Sequence, residues 1–172
     1  MIIKLASIFL AGLTVSCSSV LVHSTALEMS SKLDPAKGVL VATPENGRFE
    51  TIEYKGSGRM TASAVRDAFA SHCVKVDVAS LDSSGKGVSS VSVTDFGYFI
   101  VPLILHWEDR NTEWSGKLDR IEIQLSVFDT TTKEEIANSS FSGKSKWATF
   151  GGDHPQDLLS PALVEMVGSF YK

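Results

Sequence analysis

The residues best equipped for chemistry stand in three short runs: His106-Trp107-Glu108-Asp109-Arg110, Thr112-Glu113-Trp114-Ser115-Gly116, and Lys146-Trp147-Ala148-Thr149-Phe150-Gly151-Gly152-Asp153-His154-Pro155. All three Trp residues of the chain lie in them. Four kinds of chemistry can be weighed against these residue types. His106, Glu108, Asp109, Asp153 and His154 include the ligand types of a zinc-like site, and His106 and Glu108 would project to one side of a continuing strand. No paired-His motif accompanies them, so no metal is expected; the plainer reading has Glu108, Asp109 and Arg110 forming salt bridges and capping loop backbone. Glu108 and Glu113 could act as acid and base on a glycan, but the sequence fixes no separation between them. Ser115 and Ser145 lack a nucleophile elbow. The aromatics Trp107, Trp114, Trp147 and Phe150, set among charged groups, suit stacking on a sugar, a peptide or a protein. The alternative for them is a satellite core that packs the loops against each other. The candidate binding surface is therefore His106, Trp107, Glu108, Asp109, Arg110, Trp114, Trp147, Phe150, Asp153 and His154, with no catalytic residue assigned.

These runs need a scaffold, and the patterning predicts one. Residues 98–105 are apolar at every position, which requires a strand covered on both faces; it runs directly into the first polar run. Pro102 inside it lacks an N–H, which points to a bulge or to a position that needs no donor. Residues 120–128 alternate, with Ile121, Ile123, Leu125 and Val127 inward and Glu122, Gln124 and Ser126 outward. A hairpin at 129–134 leads to a more polar, solvent-facing return strand at 136–142. Upstream, 39–43 reads as a short buried strand ended by Pro44. Residues 45–55 are a loop with an Asn46-Gly47 turn. Residues 59–73 form a helix with Ala62, Val65, Phe69 and Cys73 on one stripe. Residues 74–81 form a strand near a sheet edge, 82–87 a loop, and 88–94 a short helix or turn. Gly56-Ser57-Gly58 opens the helix without the spacing of a nucleotide-binding loop, so it reads as a turn and cap rather than an anion cradle. Asp153 or Asp157 can cap a turn after Pro155. Ser160-Pro161 suits the start of a last helix whose stripe is Leu163, Val167, Phe170 and Tyr171. The fold class is α/β of an α+β-like kind: a βαβ unit extended by an antiparallel three-strand meander, with a C-terminal helix packed on the sheet.

The formal charge of −4 argues against nucleic acid as a partner, which needs a basic face. Lys4 followed by an apolar run at 5–15 reads as a secretory signal too short to span a bilayer. Leu13-Thr14-Val15-Ser16-Cys17 resembles the lipobox of bacterial lipoproteins, although Thr14 stands where Leu, Val or Ile is usual. That resemblance implies acylation of Cys17, and Ser18 after it implies the outer membrane of a Gram-negative bacterium, facing the periplasm. The alternative is ordinary cleavage near Ser24 or Ala26, which would discard Cys17. The organisation expected is a signal peptide at 1–16, a lipidated tether at 17–37, rich in Ser, Thr and Ala, and one globular domain at 38–172. Cys73 reads as a small buried hydrophobe; its neighbour His72 points elsewhere on a helix and is no base for it.

The runs His106–Gly116 and Ser145–Leu159 resemble the signatures of an uncharacterised family of bacterial lipoproteins, a domain of unknown function, over about residues 39–171. The resemblance implies a lipoprotein and no activity. By order of elements the domain is similar to small domains of envelope lipoproteins of curli secretion, of activators of cell-wall synthases, and of the N-terminal domain of the Tol translocation protein, an analogy of fold alone. Three functions compete. The first is a non-enzymatic lipoprotein that binds an envelope protein or a glycan through its Trp-rich loops, without a cofactor. The second is a hydrolase built on His106, Glu108, Asp109 and His154. The third is a purely structural envelope protein.

Overall fold

A computed structural model describes residues 20–79, 92–109, 119–145 and 154–172. In chain order the elements are β1 (Val20–Leu27), β2 (Val39–Val41), β3 (Arg48–Phe49), β4 (Ile52–Glu53), α1 (Ser57–Ala70), β5 (Val76–Val78), β6 (Tyr98–Glu108), β7 (Arg120–Asp129), β8 (Glu135–Lys144) and α2 (Leu159–Tyr171). Six strands make one sheet, ordered β1-β8-β7-β6-β2-β5, while β3 and β4 form a separate hairpin. β2 is parallel to both β5 and β6, so β2-α1-β5 is the expected βαβ unit. β6, β7 and β8 follow as the expected antiparallel meander.

The core lies between one face of this sheet and the two helices. Ile121, Ile123, Leu125 and Val127 of β7 are all buried to 1% exposure or less, and each such side chain stabilises by about 1.5–3 kcal/mol. Val39 and Val41 of β2 and Ala137 and Phe141 of β8 continue that face. Ala62, Val65 and Phe69 of α1 and Leu163, Val167 and Phe170 of α2 close over it. α2 begins at Leu159, directly after a 3-10 turn at Pro155–Leu158, one residue before the expected cap at Ser160. Asp157 does cap that turn, accepting from the His154 amide at 3.0 Å.

Three expectations need correction. Residues 20–27 were expected within a tether; they form β1, paired along β8 from Val20↔Lys144 to Leu27↔Asn138. Leu21 packs on the core, His23 lies 3.4 Å from Glu165 of α2 and 6.2 Å from the Phe141 ring, and backbone pairing along β8 holds the strand, a kind of binding that side-chain periodicity does not report. Because β1 covers its outer side, β8 is an interior strand: Ala137, Ser139, Phe141 and Gly143 are buried, in alternation with half-buried neighbours. Finally, β6 is not covered on both faces along its whole length. Both described helices sit on one side, and Leu103 and Leu105 on β6 remain 48% and 45% exposed.

β6 also explains its proline. The Tyr98 amide donates to Gly38 O and the Ala42 amide to Ile100 O, so even-numbered residues turn their peptide groups toward β2. By the same alternation Pro102 faces that side, where β2 has already ended at Val41, paired with Ile100. The missing N–H falls where no ladder partner follows. The irregularity in β6 lies instead at Leu105, between Ile104↔Ile123 and His106↔Glu122.

The 45–55 segment is more ordered than a loop: Glu50, at φ 54°, turns β3 back onto β4. It is held against α1 by contact too close for side chains. A Cβ on Gly58 would lie 2.3 Å from Pro44 O. Alanine normally improves a helix interior by about 1 kcal/mol over glycine, whereas overpacking against backbone costs about 1–3 kcal/mol. Gly58→Ala is therefore expected to destabilise, seen as a lower urea midpoint; a raised midpoint would refute the contact.

Asp129 closes the β7–β8 hairpin. Its Oδ1 accepts from the amides of Thr132 at 3.1 Å and Thr131 at 2.8 Å, and these bonds, Thr132's first, hold the carboxyl below its ordinary range. A depressed folded value contributes stability that is present above the unfolded value of about 3.9 and is lost as pH falls through the folded one. An NMR titration is expected to find Asp129 below ordinary aspartates, and Asp129→Ala to remove that acid-side loss.

Candidate functional site

The extra residue at Leu105 decides the geometry at the end of β6. Before it, Tyr98 and Ile100 face the helices; after it, Trp107 does, paired with Ile121. Trp107 is 1% exposed. A Cβ on Gly47 would fall 2.5 Å from the Trp107 Cβ and 2.9 Å from Ile104 Cγ2, so only glycine lets the β3–β4 hairpin lie on this indole. Trp107 is a core residue, and its ring is not available for a ligand at the surface.

His106 and Glu108 point the other way together. His106 Nε2 lies 3.2 Å from Glu108 Oε2, and Glu108 is 3% exposed. The edge of Phe49 from the hairpin meets the His106 ring at 5.1 Å. The next carboxyl takes the other imidazole: His154 Nδ1 is 3.6 Å from Asp109 Oδ1. The Tyr54 hydroxyl donates to Asp109 O at 3.4 Å. Each carboxyl–imidazole pair is an element of acid–base chemistry. Among the described residues, however, no group of three or more His, Cys, Asp or Glu is arranged to hold a metal ion.

The residues that flank 110–118 and 146–153 meet here. The Asp119 amide donates to Ser145 Oγ at 3.0 Å and the Ser145 amide to Asp119 O at 3.0 Å. With Asp109–His154, this ties both ends of 110–118 to both ends of 146–153. Of the candidate surface, His106 and Glu108 thus form one pair and Asp109 and His154 another, while Trp107 turns inward. Arg110, Trp114, Trp147, Phe150 and Asp153 lie outside the described residues, as does Cys17.

Residues absent from the candidate set organise this end. Asn46 Oδ1 accepts from the amides of Gly56 at 3.0 Å and Gly58 at 3.3 Å. Ser57 Oγ accepts from the Gly47 amide at 2.8 Å and donates to Tyr54 O at 2.7 Å. The amides that could have cradled an anion at α1 are occupied, as the cap reading expects. Asn46-Gly47 was visible as a turn; the signal for its second role is an Asn ten residues before a Gly-Ser-Gly helix start. Elsewhere, burial pushes the Cys73 thiol up. His72 stacks on Tyr171 at 5.0 Å and 11°, an arrangement that serves packing of α2.

A family model for a domain of unknown function, DUF4823, matches residues 31–169. The chain belongs to the DUF4823 family. Both sequence signatures lie within the matched residues, and β1 precedes them. No curated protein matches the chain. The DUF4823 fold is shared with solved structures of low sequence identity. One is the PelC dodecamer from Paraburkholderia phytofirmans: TM-score 0.61, 10% identity, 90% of this chain and 99% of that one. Protein XCC0632 from Xanthomonas campestris gives 0.54 and 15%, over 83% and 92% of the two chains. Lipoprotein GNA1162 from Neisseria meningitidis gives 0.50 and 14%, over 78% and 97%.

The geometry assigns Trp107 a structural role. Trp107→Ala is expected to cost about 3–5 kcal/mol, measured by urea unfolding. His106→Ala, on the half-exposed side, should cost less than half of that; equal losses would contradict the assignment.

Proposed function

We propose that this DUF4823 protein is a non-enzymatic outer-membrane lipoprotein, acylated at Cys17. Its domain meets an envelope partner through the end of the sheet that carries residues 110–118 and 146–153. The observation that carries the proposal is the joining of the loop stems through Asp109–His154 and Asp119–Ser145. Two aromatic-charged runs separated in sequence are flanked by residues that meet, so Asp109, Asp119, Ser145 and His154 stand together at one end of the sheet. The lipobox-like run ending at Cys17 supports the anchor, and a fold shared with a Neisseria lipoprotein agrees with it. The hydrolase alternative rests on the His106–Glu108 pair.

Cys17→Ala is expected to shift the protein from the membrane fraction to the soluble periplasm; unchanged attachment would refute the anchor. Tryptophan fluorescence of the purified protein should change on adding envelope components, and Trp114→Ala or Trp147→Ala should lose most of that change with folding intact. Retention of the full response in both variants would refute the loop surface. Stoichiometric zinc whose removal abolishes activity on an envelope substrate would favour the hydrolase.

A further inference from the structure

The register of the sheet fixes where the chain enters the domain. Val20, the first residue of β1, is paired with Lys144; Lys144 is paired with Arg120, and Arg120 with Glu108. One row across four strands thus joins the start of β1 to the end of β6. The chain arrives at the loop-bearing end, not at the opposite one. Only Ser18 and Ser19 separate Cys17 from Val20. Even fully extended, that connection spans about 10 Å.

A lipid on Cys17 would therefore hold the domain close, and by a particular end. The far end, where Glu135 begins β8, lies nine residues from Lys144 along one strand, about 30 Å at the usual rise. Arg120 and Lys144 in the entry row are both exposed. Arg48, Lys55 and Arg59 are exposed at the same end, but they share it with Glu45, Glu50 and Glu53. In the entry row the exposed charges are the cations Arg120 and Lys144, while its carboxylate, Glu108, is 3% exposed and the flanking Asp109 and Asp119 are half-buried; juxtamembrane Lys and Arg are what anionic headgroups attract.

Resting on the lipid-anchor reading above, we infer that this end of the sheet faces the bilayer, with Arg120 and Lys144 on phospholipid headgroups. The first partner of the loop-bearing end is then the lipid surface that holds the anchor. The far end, with the β7–β8 hairpin, points away from it.

The test uses the full-length lipidated protein in vesicles of phosphatidylethanolamine and phosphatidylglycerol that carry a headgroup-linked acceptor dye. Donor dyes are placed at the two ends of one strand, as Lys144→Cys or Glu135→Cys, each with Cys73→Ser. Energy transfer from position 144 is expected to exceed that from 135 severalfold. Equal transfer, or more from 135, overturns the orientation. With a dye at Ser142→Cys, the double change Arg120→Glu and Lys144→Glu should lower transfer at unchanged flotation; no change removes the headgroup contact. Flotation separates the two readings. Protein that floats only with Cys17 present keeps the anchor whatever the transfer shows; protein that fails to float with Cys17 intact loses both anchor and orientation. If a thiol at 144 is shielded from soluble maleimide only after peptidoglycan or envelope protein is added, and not by vesicles alone, the end belongs to that partner and the lipid assignment falls.

Discussion

Leu105 is one residue more than β7 has places for, and that surplus sets the direction of every group at the end of β6. Without it, strict alternation would carry the helix-facing side from Ile100 and Ile104 on to His106, leaving Trp107 on the opposite face. With it, the indole closes the core under Gly47, and His106 and Glu108 turn to the other side, where the imidazole and the carboxyl meet. The β3–β4 hairpin has a fixed seat only because an aromatic surface is presented to a glycine. Through Asn46 and Ser57 that seat also sets where α1 begins. One inserted residue therefore couples the core, the first helix and the candidate surface.

Most of the scaffold could be read from side-chain periodicity, because most of it buries side chains on one face. β7 alternates without a fault and stands where the pattern put it, and α1 carries Ala62, Val65 and Phe69 at helical spacing but ends at Ala70, so that Cys73, expected on the same stripe, falls beyond it. The features that escaped share a different physics. β1 is held mainly by backbone pairing to β8, and backbone bonds are available to Ser and Thr as readily as to Val, so its polar residues resembled a linker. β3 and β4 are two residues each, too short to show a period. The facing of Trp107 depends on a bulge, and an apolar residue such as Leu105 fits a strand whether or not it is paired.

The candidate surface was legible in composition and only half legible in geometry. Placing aromatic and charged residues in the same runs picked out one end of the sheet, but did not separate a core indole from the residues around it. Burial makes that separation: Trp107 belongs to the fold, while His106, Asp109 and His154 keep partial exposure beside the loop stems. The acidic balance of the whole chain likewise hid a neighbouring pair of exposed cations, Arg120 and Lys144.

The proline in β6 has a consequence for how such molecules behave when crowded. A sheet edge with free donors and acceptors invites another chain to extend it. Among the described residues, three places along the strands are spoiled for such pairing. β5 offers three residues, the register of β1 breaks between Thr25 and Leu27, and β6 past β2 carries the buried Pro102, which has no N–H to donate. Breaks of this kind shorten the run over which a neighbour's strand could pair edge to edge.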